Sequence, residues 1–332
     1  MEERKFKEFL KTGEIKESDI SDISISELLD VIKFQSNIAY NKEVNINEEI
    51  LAKVEKLENI LVEKVKELDV VYIPIIEETG YQIMSEKATF IFTSRKLGSI
   101  AIRKFNENCN LNIYLYKVLK KDLTACFKTL VLSGVEEIII DNYVDTCSLK
   151  IDSFKPFYYK ESEKTNAIMN PKLQRALIAY TKAEVEYDSG NLASMNKLME
   201  AYSDVINNLA NAKFLLPFSI NENGEYIPTV VKNPNIKGYM IALFTDWMEF
   251  GKFEDTDNWK GIVVTLNDIL KTLSTTEGVV INCGSSSFIM DKELIGVIKS
   301  QHFKKDKNTD GNIISDNDIS TVNYRNSKKP LN

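Results

Sequence analysis

Tyr239-Met240-Ile241-Ala242-Leu243-Phe244-Thr245-Asp246-Trp247-Met248-Glu249-Phe250 is the stretch whose reading decides the fold. Its first six residues form a continuous apolar run of strand length, the pattern of a strand buried on both faces. Asp246 and Glu249 then stand at capping-box spacing, so the strand passes directly into a short helix. Thr89-Phe90-Ile91-Phe92-Thr93-Ser94 has the same apolar run and Phe-Thr pair, with Ser94 where the other stretch has Asp246.

Both stretches sit in the same order of elements. Upstream of the later one, Asn170-Pro171 reads as an N-cap with proline at the first helical position. Leu173, Ala176, Leu177 and Tyr180 follow at helical spacing. A second helix places Met195, Leu198, Met199, Tyr202, Ile206 and Leu209 on one face. Phe214 to Phe218 and Tyr226 to Val231 read as strands around Asn223-Gly224, a hairpin signal. Pro217 and Pro228 put both at or near a sheet edge. Downstream come a strand at Gly261 to Val264, a helix from Asn267, a strand at Gly278 to Asn282, a strand at Ser287 to Met290, and a helix capped by Asp291.

The N-terminal half repeats this series. Two helices carry Ile25, Leu28, Leu29, Ile32 and then Ile50, Val54, Leu57, Leu61. Val70 to Ile76 parallels the strand around Pro217, Asn112 to Tyr116 parallels Gly261 to Val264, and Ile138-Ile139-Ile140-Asp141 parallels Val279-Val280-Ile281-Asn282. The later copy has an extra loop at Lys232 to Lys237, where insertion is cheap. The expected fold is α+β (mixed α/β), with tandem domains that each pair a helical hairpin with a mixed sheet and short helices. The expected boundaries are a degenerate domain at 1–154, a linker at 155–169, a second domain at 170–300 and a polar, mobile tail at 301–332.

Composition excludes several functions. Of 332 residues, 43% are hydrophobic, enough for two cores. The net charge of −7 makes a poor binder of phosphate backbones, so no nucleic-acid partner is expected. His302 is the single histidine, which argues against Ser-His-Asp and Cys-His mechanisms and against zinc sites that need several imidazoles. Cys109, Cys126, Cys147 and Cys283 never form CxxC and read as reduced thiols. No apolar run reaches the roughly 18–20 residues of a membrane helix. Met1-Glu2-Glu3-Arg4-Lys5 leads into no signal-peptide core, so a cytoplasmic protein is expected.

The helical hairpin from Pro171, the strand ending Phe214-Leu215-Leu216-Pro217, Leu243-Phe244-Thr245-Asp246 and the strand end Val279-Val280-Ile281-Asn282 carry a resemblance. From Asn170 to Lys299 the chain resembles the N-terminal domain of the SseB family, named for enhanced serine sensitivity, and residues 24–151 look like a degenerate second copy. Family members often carry Asn-Pro after the last core strand, where this chain has Asn282-Cys283-Gly284. The resemblance implies a bacterial, cytoplasmic α/β module of loosely defined role, without an established catalytic constellation.

Phe244-Thr245-Asp246-Trp247 is the best candidate for a partner-binding surface. A strand end feeding a helix N-terminus leaves N–H groups for an anion or peptide carboxylate, and Trp247 and Phe250 are residues of the hot-spot type. The plainer reading is that Asp246 caps the helix and Trp247 packs on the sheet. Asn282 and Ser285, in a small-residue loop after a strand, line the other expected part of the site; an ordinary turn explains them as well. Cys283 has no imidazole to activate it. Asp306, Asn308, Asp310 and Asn312 match the start of an EF-hand loop, but Asn317 stands where the bidentate glutamate belongs, and a hydrated tail explains the same residues. Calcium is the only cofactor considered. Glu77-Glu78 and Glu136-Glu137 read as solvated pairs. The expected function is non-catalytic protein binding. The alternatives are an immunity-type protein that neutralises a toxin, and an enzyme using carboxylates or Cys283.

Overall fold

The computed structural model describes residues 1, 3–40, 48–109, 111–141, 148–155, 168–188, 191–222, 226–232, 238–253, 260–272 and 276–302. Outside them lie the EF-hand-like residues Asp306, Asn308, Asp310 and Asn312, most of the expected linker with Tyr158-Tyr159, Cys147, Asn223-Gly224 and the loop at 233–237. The fold is α+β. Contacts divide the chain into two compact units, one of Met1–Val131 and Val135–Glu163, the other of Leu132–Gly134 and Lys164–Asn332.

The first unit begins with helices α1 (Glu3–Thr12), α2 (Ile25–Ala39) and α3 (Glu48–Lys66). The sequence reading overlooked α1, which contributes Phe9 to the core. Ser24 starts α2 with a full capping box: its hydroxyl accepts from Glu27 N at 3.2 Å, and Glu27 Oε2 accepts from Ser24 N at 2.8 Å. That backbone bond holds the Glu27 carboxyl below its usual range. Then follow β1 (Val70–Ile76), β2 (Met84–Ser85), β3 (Ala88–Ile91), α4 (Arg95–Asn108), β4 (Ile113–Leu119), α5 (Leu123–Leu132), β5 (Glu137–Ile140) and β6 (Ser148–Lys150). β1 and β4 pair antiparallel. The other strands are ordered β2-β3-β5-β6, with β3 and β5 parallel. Tyr72 and Phe92 exchange two backbone bonds of 2.8 Å and join the two sheets. One core lies between helices and sheet around Leu28, Leu61, Ile91, Phe127 and Ile138.

The second unit contains α6 (Pro171–Glu186), α7 (Leu192–Leu209), β7 (Lys213–Ile220), β8 (Tyr226–Pro228), β9 (Val230–Lys232), β10 (Tyr239–Leu243), α8 (Trp247–Phe253), β11 (Lys260–Thr265), α9 (Leu266–Thr272), β12 (Gly278–Ile281), β13 (Phe288–Asp291) and α10 (Lys292–His302). Its four-stranded sheet has the same order as the first unit's, while its other sheet carries β8 as a third strand. β7 and β11 pair antiparallel, β9-β10-β12-β13 run in that order, and β10 and β12 are parallel. Leu215 and Phe244 make the bridge that Tyr72 and Phe92 make in the first unit. Leu173, Leu177, Val205, Phe214, Leu243 and Ile281 centre the core.

Three local expectations need correction. Pro217 lies in the middle strand of β11-β7-β8, not at an edge. Its carbonyl accepts from Thr229 N at 2.9 Å and from Thr229 Oγ1 at 3.0 Å, so that side of the strand asks it for acceptors and not for the N–H it lacks. Asn170 precedes α6, but its side chain makes no cap bond. Its amide donates to the carbonyls of Lys213 at 2.5 Å and Thr245 at 2.9 Å. Met195 and Met199 do not face the core: they are 42% and 60% exposed, and α7 begins to bury residues only from Val205.

Candidate functional site

In each unit the two parallel strands end side by side, and a threonine after one is clamped by an Asx residue after the other. Asn282 follows β12 with φ 50°, and its N–H donates to Leu243 O at 2.9 Å. The left-handed backbone turns the side chain back across the strand ends, a conformation that asparagine and aspartate tolerate. Asn282 Oδ1 then accepts from Thr245 N at 3.0 Å. Asp141 does the same after β5: φ is 53°, its N–H donates to Ile91 O at 2.9 Å, and its Oδ1 accepts from Thr93 N at 2.7 Å.

The second unit's cluster is closed. Thr245, Asn282 and Ser286 have no exposed surface, and Gln174 of α6 is 1% exposed. Asn282 Nδ2 donates to Gln174 Oε1 at 2.8 Å and to Thr245 Oγ1 at 3.1 Å. Thr245 Oγ1 in turn lies 3.1 Å from Asp246 Oδ2, and a proton given there makes a charge-assisted bond. Asp246 Oδ1 caps α8 by accepting from Glu249 N at 2.9 Å. The capping box stops halfway, because the Glu249 side chain is used elsewhere: Oε1 accepts from Lys252 Nζ at 2.6 Å and Oε2 from the Ser285 hydroxyl. Asp246 is 4% and Glu249 1% exposed. Burial first, then the charge of Glu249, pushes the Asp246 carboxyl up to about 6.

The six residues read as a partner-binding surface are therefore brought together, but mostly indoors. Thr245, Asp246, Phe250 and Asn282 are buried, with Phe250 edge-on to Phe244 at 5.0 Å between ring centres. Only Trp247 and Ser285 keep partial exposure. Trp247 packs on the sheet over Gly261. The plainer reading of cap and core residues describes this strand end physically. Burial pushes the Cys283 thiol up to about 11, so it is not a ready thiolate nucleophile. The Ser285 hydroxyl donates to the Glu249 carboxylate, which also holds Lys252.

The first unit's cluster is open. Leu28, a core residue, stands on α2 where Gln174 stands on α6, so α2 offers no amide to the strand end. Ser24, in the place of Asn170, is tied to its own Glu27. Thr93 and Asp141 instead face a groove of about 1020 Å³. Ile20, Ile23, Ile25, Ile60, Leu68 and Leu97 give it apolar walls, and Lys56, Glu63 and Lys64 of α3, with Glu67 just after it, line it with both signs of charge. Thr93 Oγ1 donates to Asp141 Oδ2 at 2.5 Å. Burial outweighs that bond and holds the Asp141 carboxyl above its usual range.

Sequence reasoning named neither this groove nor Gln174, Glu249 and Ser286 as site residues. A signal was present: both Phe-Thr pairs are matched by an apolar strand ending in Asp or Asn. Among the described residues no group of acidic, cysteine or histidine side chains is arranged to hold a metal, and no helix is long and apolar enough to cross a membrane. No family model, no curated protein and no solved structure matches the chain.

Proposed function

We propose that the chain is a non-catalytic binding and regulatory module, built from two copies of one helical-hairpin-plus-sheet unit and resembling the SseB family. One observation carries this reading. The polar groups at one strand end bond to each other, while the corresponding strand end of the first unit opens on an apolar-walled groove. Apolar walls with a few convergent polar groups suit recognition. A thiol nucleophile needs its thiolate stabilised, and burial does the reverse at Cys283. The first copy then binds a cytoplasmic protein partner, and the second gives a rigid, closed version of the same architecture. The net charge of −7 favours fast association with a basic partner, which keeps an immunity-type role against a toxin as the second reading.

The test is affinity purification from the native cell, followed by reconstitution with the purified partner. Leu97→Glu places a charge in the groove at a residue already 36% exposed, so the fold should survive. Loss of the reconstituted complex supports the reading. An undiminished complex with Leu97→Glu removes the groove from it. Protection of cells from a co-expressed toxin separates the second reading from the first.

A further inference from the structure

We propose that the groove beside Asp141 takes an apolar protein segment bearing one lysine or arginine, whose cation seats on the Asp141 carboxylate. The inference rests on the binding reading and names the chemistry of its occupant. Asp141 is half-buried, and its oxygens accept only from Thr93 among the described residues. No cation of the described residues lies within ion-pair distance of it, although buried charges are ordinarily paired. The second unit makes the contrast. Where the strand end is closed, the clamp residue is the uncharged Asn282; where it is open, the clamp is a carboxylate. The same backbone geometry serves both, since Asp141 and Asn282 share φ near 50° and the same bond to threonine. Within the clamp the negative charge strengthens the bond accepted from the Thr93 hydroxyl, where Asn282 Nδ2 donates instead, but it draws in no further group of the described residues. It does add attraction for a cation entering a groove walled by Ile23, Ile60 and Leu97. Burial already disfavours the Asp141 carboxylate, so a cation that neutralises it is bound in a poorly screened setting. Lys56 and Lys64 of α3 also line the groove, and its two glutamates, Glu63 and Glu67, already pair with Lys66 and Lys120, which leaves Asp141 as the groove carboxylate without a lysine among the described residues and directs a single basic residue to it.

The experiment is panning of a phage-displayed random peptide library on the full chain, followed by anisotropy titration of the recovered peptides. Asp141→Asn is the informative variant, because asparagine already fills the corresponding clamp; circular dichroism and a melting curve check its fold. The expected peptides are apolar with one basic residue, bind wild type roughly tenfold or more tightly than Asp141→Asn, and lose that preference when the basic residue becomes methionine. Lys56→Ala with Lys64→Ala should bind at least as well as wild type. Groove peptides that carry no basic residue, or that bind Asp141→Asn equally, overturn the inference and leave the binding reading standing. Acidic peptides that need Lys56 and Lys64 overturn it too. If no recovered peptide is sensitive to Leu97→Glu, the groove itself falls, and with it both claims.

Discussion

The indole of Trp247 lies on the bare α-carbon of Gly261: a β-carbon there would stand 2.8 Å from Trp247 Cζ2. Gly261 pairs across the ladder with Pro217, and in the first unit Leu115 holds that register position, opposite Pro74. There the small residue is on the helix instead, since a β-carbon on Gly98 of α4 would stand 2.7 Å from Leu115 Cδ2. Helix and strand have exchanged which one supplies the bulk. Gly261→Ala is therefore expected to cost about 1–3 kcal/mol, because the β-carbon would press on both the Leu215 side chain and the indole, and the rigid indole cannot step aside as the leucine can. Urea denaturation reads it; an unchanged midpoint would mean the helix shifts freely.

The hydroxyl of Thr245 joins an amide, a carboxylate and a strand end, all buried. Thr245→Val keeps the shape and removes the polar atom, leaving Asp246 and Asn282 short of a partner. The expected loss is about 1–3 kcal/mol. Thr93→Val in the open cluster should lose less, because water can reach Asp141 from the groove. Equal losses at the two sites would contradict the description of one as closed and the other as open.

The legible part of the molecule was its periodicity. Strand runs such as Ile138–Ile140 and Val279–Ile281 bury every side chain and read as strands because nothing polar interrupts them. The short Ser287–Met290 run was a weaker strand signal, and the strand spans Phe288–Asp291; at the Asp291 cap, Leu294 N does donate to Asp291 Oδ1 at 2.8 Å. The site was less legible because its members depend on tertiary position. Gln174 looks like an ordinary polar residue of an amphipathic helix until the strand ends come within reach of its amide. Met195 and Met199 followed the helical stripe correctly, yet the stripe runs on past the part of α7 that has anything to pack against. Asn170 fitted the N-cap pattern in sequence, but two carbonyls offered better bonds than the helix start.

Asp246 carries the clearest pH signature. An acid whose folded pKa lies above its unfolded value binds more protons when folded. Its contribution is thus complete below pH 3.8 and lost as pH rises through about 6, a loss on the order of 2–3 kcal/mol. Burial gives Asp141 and Glu58 shifts of the same sign. Glu27, held down by the Ser24 backbone, and Glu137, held down by Lys87, act in the opposite direction. Asp246→Asn isolates one residue from this sum, since asparagine can still accept from Glu249 N. The variant should gain stability relative to wild type as pH rises from 3.8 to about 6. Parallel stability curves across that interval would show that Asp246 titrates normally.

Cysteine chemistry separates binding from catalysis most directly. Burial pushes Cys126 up to about 12 and Cys283 up to about 11. Near neutral pH each then has at least roughly a hundredfold less thiolate than a free cysteine, and the thiolate is the reactive form. Iodoacetamide should therefore label both residues slowly in the folded protein and rapidly in urea, as read by mass spectrometry of the peptides. Raising the pH in native buffer should speed Cys283 before Cys126, because Cys283 has the lower value and the less buried thiol. If Cys283 is instead alkylated in the native protein faster than a free cysteine, some group near Gly284 and Ser285 is stabilising its thiolate. The enzyme reading would then return with Cys283 as its nucleophile.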